Sequence, residues 1–157
     1  MARSYTFTDP YHLGVVVSHL ETAMEEIGVA HGVTWASLQD REQPLWTPGS
    51  GGIRTRLRFT YSCEGPVHIE LLQGEAGTFW DDAVWHGLQH TGVWCDDVPG
   101  ETEALVAAGW ELVGAQRSLQ DGYGSFTYLR SSGGFVLELV TAAARPRFEQ
   151  WWAGGAL

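Results

Sequence analysis

Gln89-His90-Thr91-Gly92-Val93 and Tyr11-His12-Leu13-Gly14-Val15 are two copies of one pattern: a polar or aromatic residue, then His-x-Gly-Val opening an apolar strand. Each copy runs on into a helical stretch. Each then reaches a strand in which one glutamate stands among aliphatics, Val67-His68-Ile69-Glu70-Leu71-Leu72 in the first and Phe135-Val136-Leu137-Glu138-Leu139-Val140 in the second. The chain therefore reads His…Glu, then His…Glu again. Strand alternation puts His12, Gly14 and Val16 on one face and Leu13, Val15 and Val17 on the other. Two histidines and two carboxylates carried on strands are the makings of a divalent-metal site.

Worked outward from these anchors, the first copy reads as strand, helix and three strands. Residues 12–17 form the first strand. Ser18-His19-Leu20-Glu21 has the spacing of a capping box with Ser18 as N-cap. Leu20, Ala23, Met24 and Ile27 make one apolar helix face, and Gly28 is a stop signal. Residues 33–38 read as a second strand, and 43–52, with two prolines and three glycines, as a loop. Residues 53–62 alternate Arg54, Arg56 and Arg58 against Thr55, Leu57 and Phe59 and form a third strand. The second copy repeats the order: a strand at 88–95, acidic Asp96-Asp97 at a helix start, a helix at 101–108 closed by Gly109, then strands at 110–115, 123–130 and 135–141. The expected organisation is one domain over 1–157, with modules at 8–73 and 88–141, a linker at 74–87 and a tail at 142–157. A short terminal helix over 146–152 would use Trp151 or Trp152 as a plug.

Composition narrows the function. The chain has 157 residues, 44% of them apolar, enough for one well-buried domain. Its net charge is −10, from 19 acidic and nine basic residues, and all nine are arginines. That balance argues against nucleic acid and anionic membrane surfaces as partners. Cys63 and Cys95 have no spacing that suggests a disulfide framework or a thiolate zinc knuckle, and the amino terminus has no apolar signal region. A cytoplasmic location is expected. The eight tryptophans divide between core packing and the lining of an apolar pocket.

Imidazole and carboxylate ligands suit Zn, Fe, Ni, Co or Mn. Four protein ligands on an octahedral ion leave two adjacent positions for water or for two substrate oxygens. An ion so placed polarises a carbonyl and stabilises a developing enolate.

The segments His12-Leu13-Gly14-Val15-Val16-Val17, Leu20-Glu21-Thr22-Ala23-Met24, Ile69-Glu70-Leu71-Leu72, His90-Thr91-Gly92-Val93 and Leu137-Glu138-Leu139-Val140 resemble the vicinal oxygen chelate superfamily. That superfamily includes glyoxalase I, methylmalonyl-CoA epimerase, extradiol dioxygenases, and fosfomycin and bleomycin resistance proteins. The resemblance spans about residues 8–142. It implies an α+β fold of two paired βαβββ modules around a U-shaped cavity, with His12, Glu70, His90 and Glu138 as metal ligands inside it. The His/Glu/His/Glu set is most similar to that of glyoxalase I. The epimerase pattern has an amide at the position of Glu70, and ring-cleaving members use two histidines and one carboxylate.

The resemblance implies a metal-dependent isomerase, epimerase or lyase in which Glu138 or Glu70 moves a proton next to a carbonyl. A small-molecule substrate and a homodimer go with it. The competing reading is a protein of the bleomycin-resistance type that sequesters an aromatic drug or metabolite without chemistry. Further candidates for the substrate wall are Trp94, which shares the parity of His90, and His68, which shares that of Glu70. Trp80, Phe126 and Tyr128 join them, with Arg58 as an anion-binding group. His86 reads as a structural residue of the linker.

Overall fold

The computed structural model describes residues 3–6, 8–85 and 87–157; His86 lies outside the described residues. Eight strands close into a barrel in the order β1-β4-β3-β2-β6-β7-β8-β5. The first repeat supplies β1 (His12–Val16), α1 (Leu20–His31), β2 (Gln39–Thr47), β3 (Gly51–Tyr61) and β4 (His68–Gly74). A short helix α2 (Asp82–Trp85) leads to the second repeat: β5 (Gly87–Cys95), α3 (Val98–Ala107), β6 (Glu111–Ala115), β7 (Phe126–Arg130) and β8 (Val136–Thr141). The chain continues into α4 (Arg145–Trp152). Each repeat places its first strand parallel to its last, β1 against β4 and β5 against β8, and the repeats meet through the antiparallel pair β1–β5. On the far side the ring closes through one residue pair between β2 and β6, Trp46 and Ala115. The expected U is thus narrowly bridged at its open side.

Period-two alternation builds two kinds of core. On β4 and β8 the outward residues Leu71, Leu137 and Leu139 are fully buried, because α1 covers the first repeat and α3 the second. The inward residues Leu72, Val136 and Val140 pack with Phe59, Tyr61, Trp80 and Tyr128 in the barrel interior. A glutamate flanked by such leucines therefore faces the interior, on the opposite side of its strand from the helix.

Several local expectations are corrected. Ser18 does not cap α1; His19 occupies the N-cap without a side-chain bond. The Leu20 N–H instead donates to Gln73 Oε1 on β4 at 2.9 Å, so the sheet caps the helix. Gly28 does not end α1, which runs one more turn to a left-handed Gly32 (φ 66°). Residues 33–38 form only a single bridge, Trp35 to Ser62, while the loop expected at 43–52 overlaps the second half of β2 and the start of β3, which pair from Gln39–Phe59 to Thr47–Gly51. In the second repeat Asp97 caps α3 by accepting from the Gly100 N–H at 3.0 Å, and α3 begins at Val98, ahead of the expected residue 101.

Candidate metal centre

Two rows of residues cross the β1–β5 junction in opposite directions. One runs Tyr61, Glu70, Gly14, His90 over β3, β4, β1 and β5. The other runs Tyr128, Glu138, Gly92, His12 over β7, β8, β5 and β1. In both, glycine stands between the carboxylate and the histidine, and the imidazole leans over it. A Cβ on Gly14 would lie 2.0 Å from His90 Cε1, and one on Gly92 would lie 1.9 Å from His12 Cε1. The glycine of each His-x-Gly motif is thus the seat for the other motif's ring, which is the physical reason the motif needs it.

The rings and carboxylates converge. His12 Nε2 and His90 Nε2 are 2.9 Å apart. His12 Nε2 is 3.0 Å from Glu138 Oε2 and 3.3 Å from Glu70 Oε2; His90 Nε2 is 3.1 Å from Glu70 Oε2 and 3.3 Å from Glu138 Oε2. All four ligand atoms lie within 4.8 Å of one another, and all four residues are buried. Ligands bound at about 2.0–2.2 Å to one ion sit about 3 Å from their neighbours. Two imidazoles and two carboxylates at this spacing could hold a borderline divalent ion.

The electrostatics fit a site that exchanges protons for a cation. Burial alone would favour neutral forms, yet the mutual interactions outweigh it. His12 and His90 hold the Glu70 carboxyl down at about 2 and lower that of Glu138. The two carboxylates raise His12 and push His90 up to about 9. Burial and the nearby glutamates push the phenols of Tyr61 and Tyr128 well above their usual range, so both keep their protons.

Gln89 is a contributor that periodicity does not assign. Between Gly14 and Val15 the β1–β5 register skips it, leaving a bulge that turns its side chain beside His90. His90 Nδ1 lies 2.6 Å from Gln89 Oε1. That bond places a proton on Nδ1 and aims the Nε2 lone pair at the cluster. Tyr61, opposite Glu70, also escaped the sequence reading; its signal is a register pairing that matches that of Tyr128 with Glu138.

A cavity of about 70 Å³ reaches the two glutamates and is walled by Phe59, Tyr61, Trp80, Phe126, Tyr128 and Phe148, among others. Trp80, Phe126 and Tyr128, three of the substrate-wall candidates, thus line this cavity. Trp94 has the expected inward parity, but it stacks on Tyr11 at 3.7 Å between ring centroids and stays outside the cavity lining. His68 also points inward, yet α4 lays Trp152 over it at 3.7 Å, and its Nδ1 bonds Ser62 O at 2.6 Å. Arg58 is not brought to the site. Thr55, Leu57, Phe59 and Tyr61 take the inner face of β3, so Arg58 points outward and pairs with Glu21 and Asp40.

Comparisons with known proteins agree with this geometry. A family profile described as the Glyoxalase/Bleomycin resistance protein/Dioxygenase superfamily matches residues 11–128. No curated protein matches the sequence significantly. Among solved structures, methylmalonyl-CoA epimerase from Mycobacterium tuberculosis is 16% identical, with 94% of this chain and 97% of that one covered and a TM-score of 0.60. A hypothetical protein from Bacillus halodurans is 14% identical, with 84% and 92% covered and a TM-score of 0.61. A mutant 4-hydroxymandelate synthase from Streptomyces coelicolor is 14% identical, with 84% of this chain and 48% of that one covered and a TM-score of 0.57. At these identities the structures share the fold, and the profile match over most of the chain supplies the family. With its repeated barrel and its His/Glu/His/Glu cluster, the chain belongs to the glyoxalase/bleomycin resistance/dioxygenase, or vicinal oxygen chelate, superfamily.

Proposed function

We propose that the chain is a metal-dependent enzyme of the glyoxalase/epimerase type, an isomerase or lyase that moves a proton next to a carbonyl of a small molecule. The observation that carries this reading is the buried four-ligand cluster at one end of an aromatic-walled cavity. His12, Glu70, His90 and Glu138 would hold Zn, Ni, Co, Mn or Fe. When bound, such an ion supplies a Lewis acid that polarises the substrate carbonyl and lowers the acidity barrier of the adjacent C–H bond.

The chain's own groups supply the proton handling. Glu138 or Glu70 takes the proton from carbon as a general base and returns it to the same or the neighbouring carbon. Tyr61 and Tyr128, held protonated beside these carboxylates, donate to oxygen and keep each base oriented.

Methylmalonyl-CoA epimerase shares the fold, and acyl thioesters belong among the test substrates with 2-hydroxy-carbonyl and 2-oxo-thiohemiacetal compounds. The aromatic wall favours a second reading, sequestration of a metabolite without chemistry. One experiment separates them. Purified protein is analysed for metal, then incubated with these substrates in deuterium oxide. Bound metal with C–H exchange supports the enzyme. Metal-replete protein with no exchange, but tight ligand quenching of tryptophan fluorescence, supports sequestration.

The homodimer and a cytoplasmic location are part of the same proposal. Cys63 and Cys95 are free thiols, in keeping with a reducing compartment. Among the described residues no helix is long and apolar enough to cross a membrane. One chain supplies all four ligands, so sedimentation decides the dimer without bearing on the metal centre.

A further inference from the structure

The cavity has a second polar pole away from the glutamates. Arg41 and Gln43, two residues apart on β2, both line it. Gln43 is 6% exposed, and its side chain makes no hydrogen bond to any described residue. Its amide lines the cavity and is free to bond whatever enters it. The Arg41 guanidinium sits over the Phe59 ring, 4.9 Å from its centroid. Arg3, Arg56, Arg58, Arg130 and Arg145 pair with carboxylates, whereas Arg41, like Arg54, Arg117 and Arg147, has no carboxylate partner among the described residues. Of these four, Arg41 is the one that lines the cavity. Burial of part of its side chain and the neighbouring charge of Arg147 on α4 both work against its cation.

We propose that Arg41 and Gln43 bind the carboxylate of a short substrate whose opposite end carries the oxygens directed at the His/Glu cluster. The guanidinium fork matches a carboxylate, and the Gln43 amide supplies one further donor. Arg41 is the one arginine among the lining residues, so it draws the carboxylate end and leaves the opposite end facing the His/Glu cluster. The partly open cavity of about 70 Å³ accommodates a short carbon chain between the poles. The substrate class is thus a small oxygenated carboxylic acid. This inference rests on the metal-centre reading.

The test uses full-length, zinc-loaded protein and three hydroxamate probes: acetohydroxamate, the monohydroxamate of succinic acid, and its neutral primary-amide analogue. Affinities are measured by calorimetry. The wild type is expected to prefer the carboxylate over the amide by about tenfold. Arg41→Gln should remove that preference while leaving acetohydroxamate affinity unchanged, and Arg41→Lys should restore part of it. Gln43→Leu should weaken the carboxylate probe several-fold. Equal binding of carboxylate and amide by the wild type, with acetohydroxamate still bound, overturns this proposal alone. Persistence of the preference in Arg41→Gln does the same. Failure of the protein to bind zinc or any hydroxamate overturns the metal-centre reading and this proposal together.

Discussion

The two halves of the candidate metal centre offer the same residue types with unequal support. On the β5 side, His90 has a polar neighbour inserted by a bulge, and its Nδ1 is bonded to Gln89. On the β1 side the equivalent neighbour is Tyr11, whose ring meets His12 edge-on and stacks on Trp94. His12 Nδ1 is buried without a hydrogen-bond partner among the described residues. One imidazole is therefore oriented by a hydrogen bond and the other by packing. Repetition fixes which atoms converge, while the flanking residue decides how firmly each is held.

The largest expected effect tests what the halves have in common. Gly92→Ala and Gly14→Ala each put a Cβ about 2 Å from the opposite imidazole, so each should displace a ligand and lower metal affinity on the order of 100-fold or more. Calorimetric titration, with circular dichroism as a check on folding, measures this. If one variant binds metal normally, the two-row symmetry does not govern the site.

Next come the carboxylates. Glu138→Gln and Glu70→Gln each retain an oxygen ligand but lose a base. The variant that removes the true base should cost about 10²- to 10⁴-fold in turnover while keeping measurable metal; the other should act mainly through metal affinity. Equal turnover losses in both, tracking metal content, would leave neither as the base.

Protonation gives the third effect. The ordinary value for histidine is 6.5, and Glu138 and Glu70, against the effect of burial, raise His90 to about 9. An ion must displace that proton, so metal affinity should rise by up to about tenfold per pH unit from 6.5 towards 9. Metal-free protein should show the opposite trend. The protonated His90 contributes its stability fully below 6.5, and that contribution is lost as pH rises through about 9. Thermal melts of metal-free and metal-loaded protein across this range should diverge, the gap widening as pH rises; parallel curves would contradict the assigned protonation state.

The smallest effect isolates the asymmetry. Gln89→Leu removes the bond to His90 Nδ1 and should weaken metal binding about tenfold. Tyr11→Phe keeps the packing around His12 and should leave affinity unchanged. Equal losses in the two variants would mean that the halves are supported alike.

The four clustered residues were legible because strand alternation is strong where one face meets a helix and the other the barrel interior. Glu70 and Glu138 stand out against flanking leucines for that reason. β2 was illegible for the converse reason. Its inner face meets a polar pole of the cavity through Arg41 and Gln43 and its outer face meets solvent, so Gln39, Asp40, Arg41 and Glu42 show no hydrophobic period. Pro44 is tolerated because β2 shares only Trp46–Ala115 with β6. Gln89 escaped because a bulge breaks the period-two rule that assigns faces, and the cap of α1 because Gln73 is distant in sequence.

The reciprocal seating of each ring on the other copy's glycine has a consequence for how such a sequence drifts. His12 with Gly92, and Gly14 with His90, are two locks whose parts lie in different halves of the gene. Neither half can be rewritten at these positions without the other registering it, whereas Tyr11 and Gln89 are free to part ways, as they have done. A descendant that lost both imidazoles would lose the need for both glycines at once, so larger residues at 14 and 92 would appear together with the loss of 90 and 12.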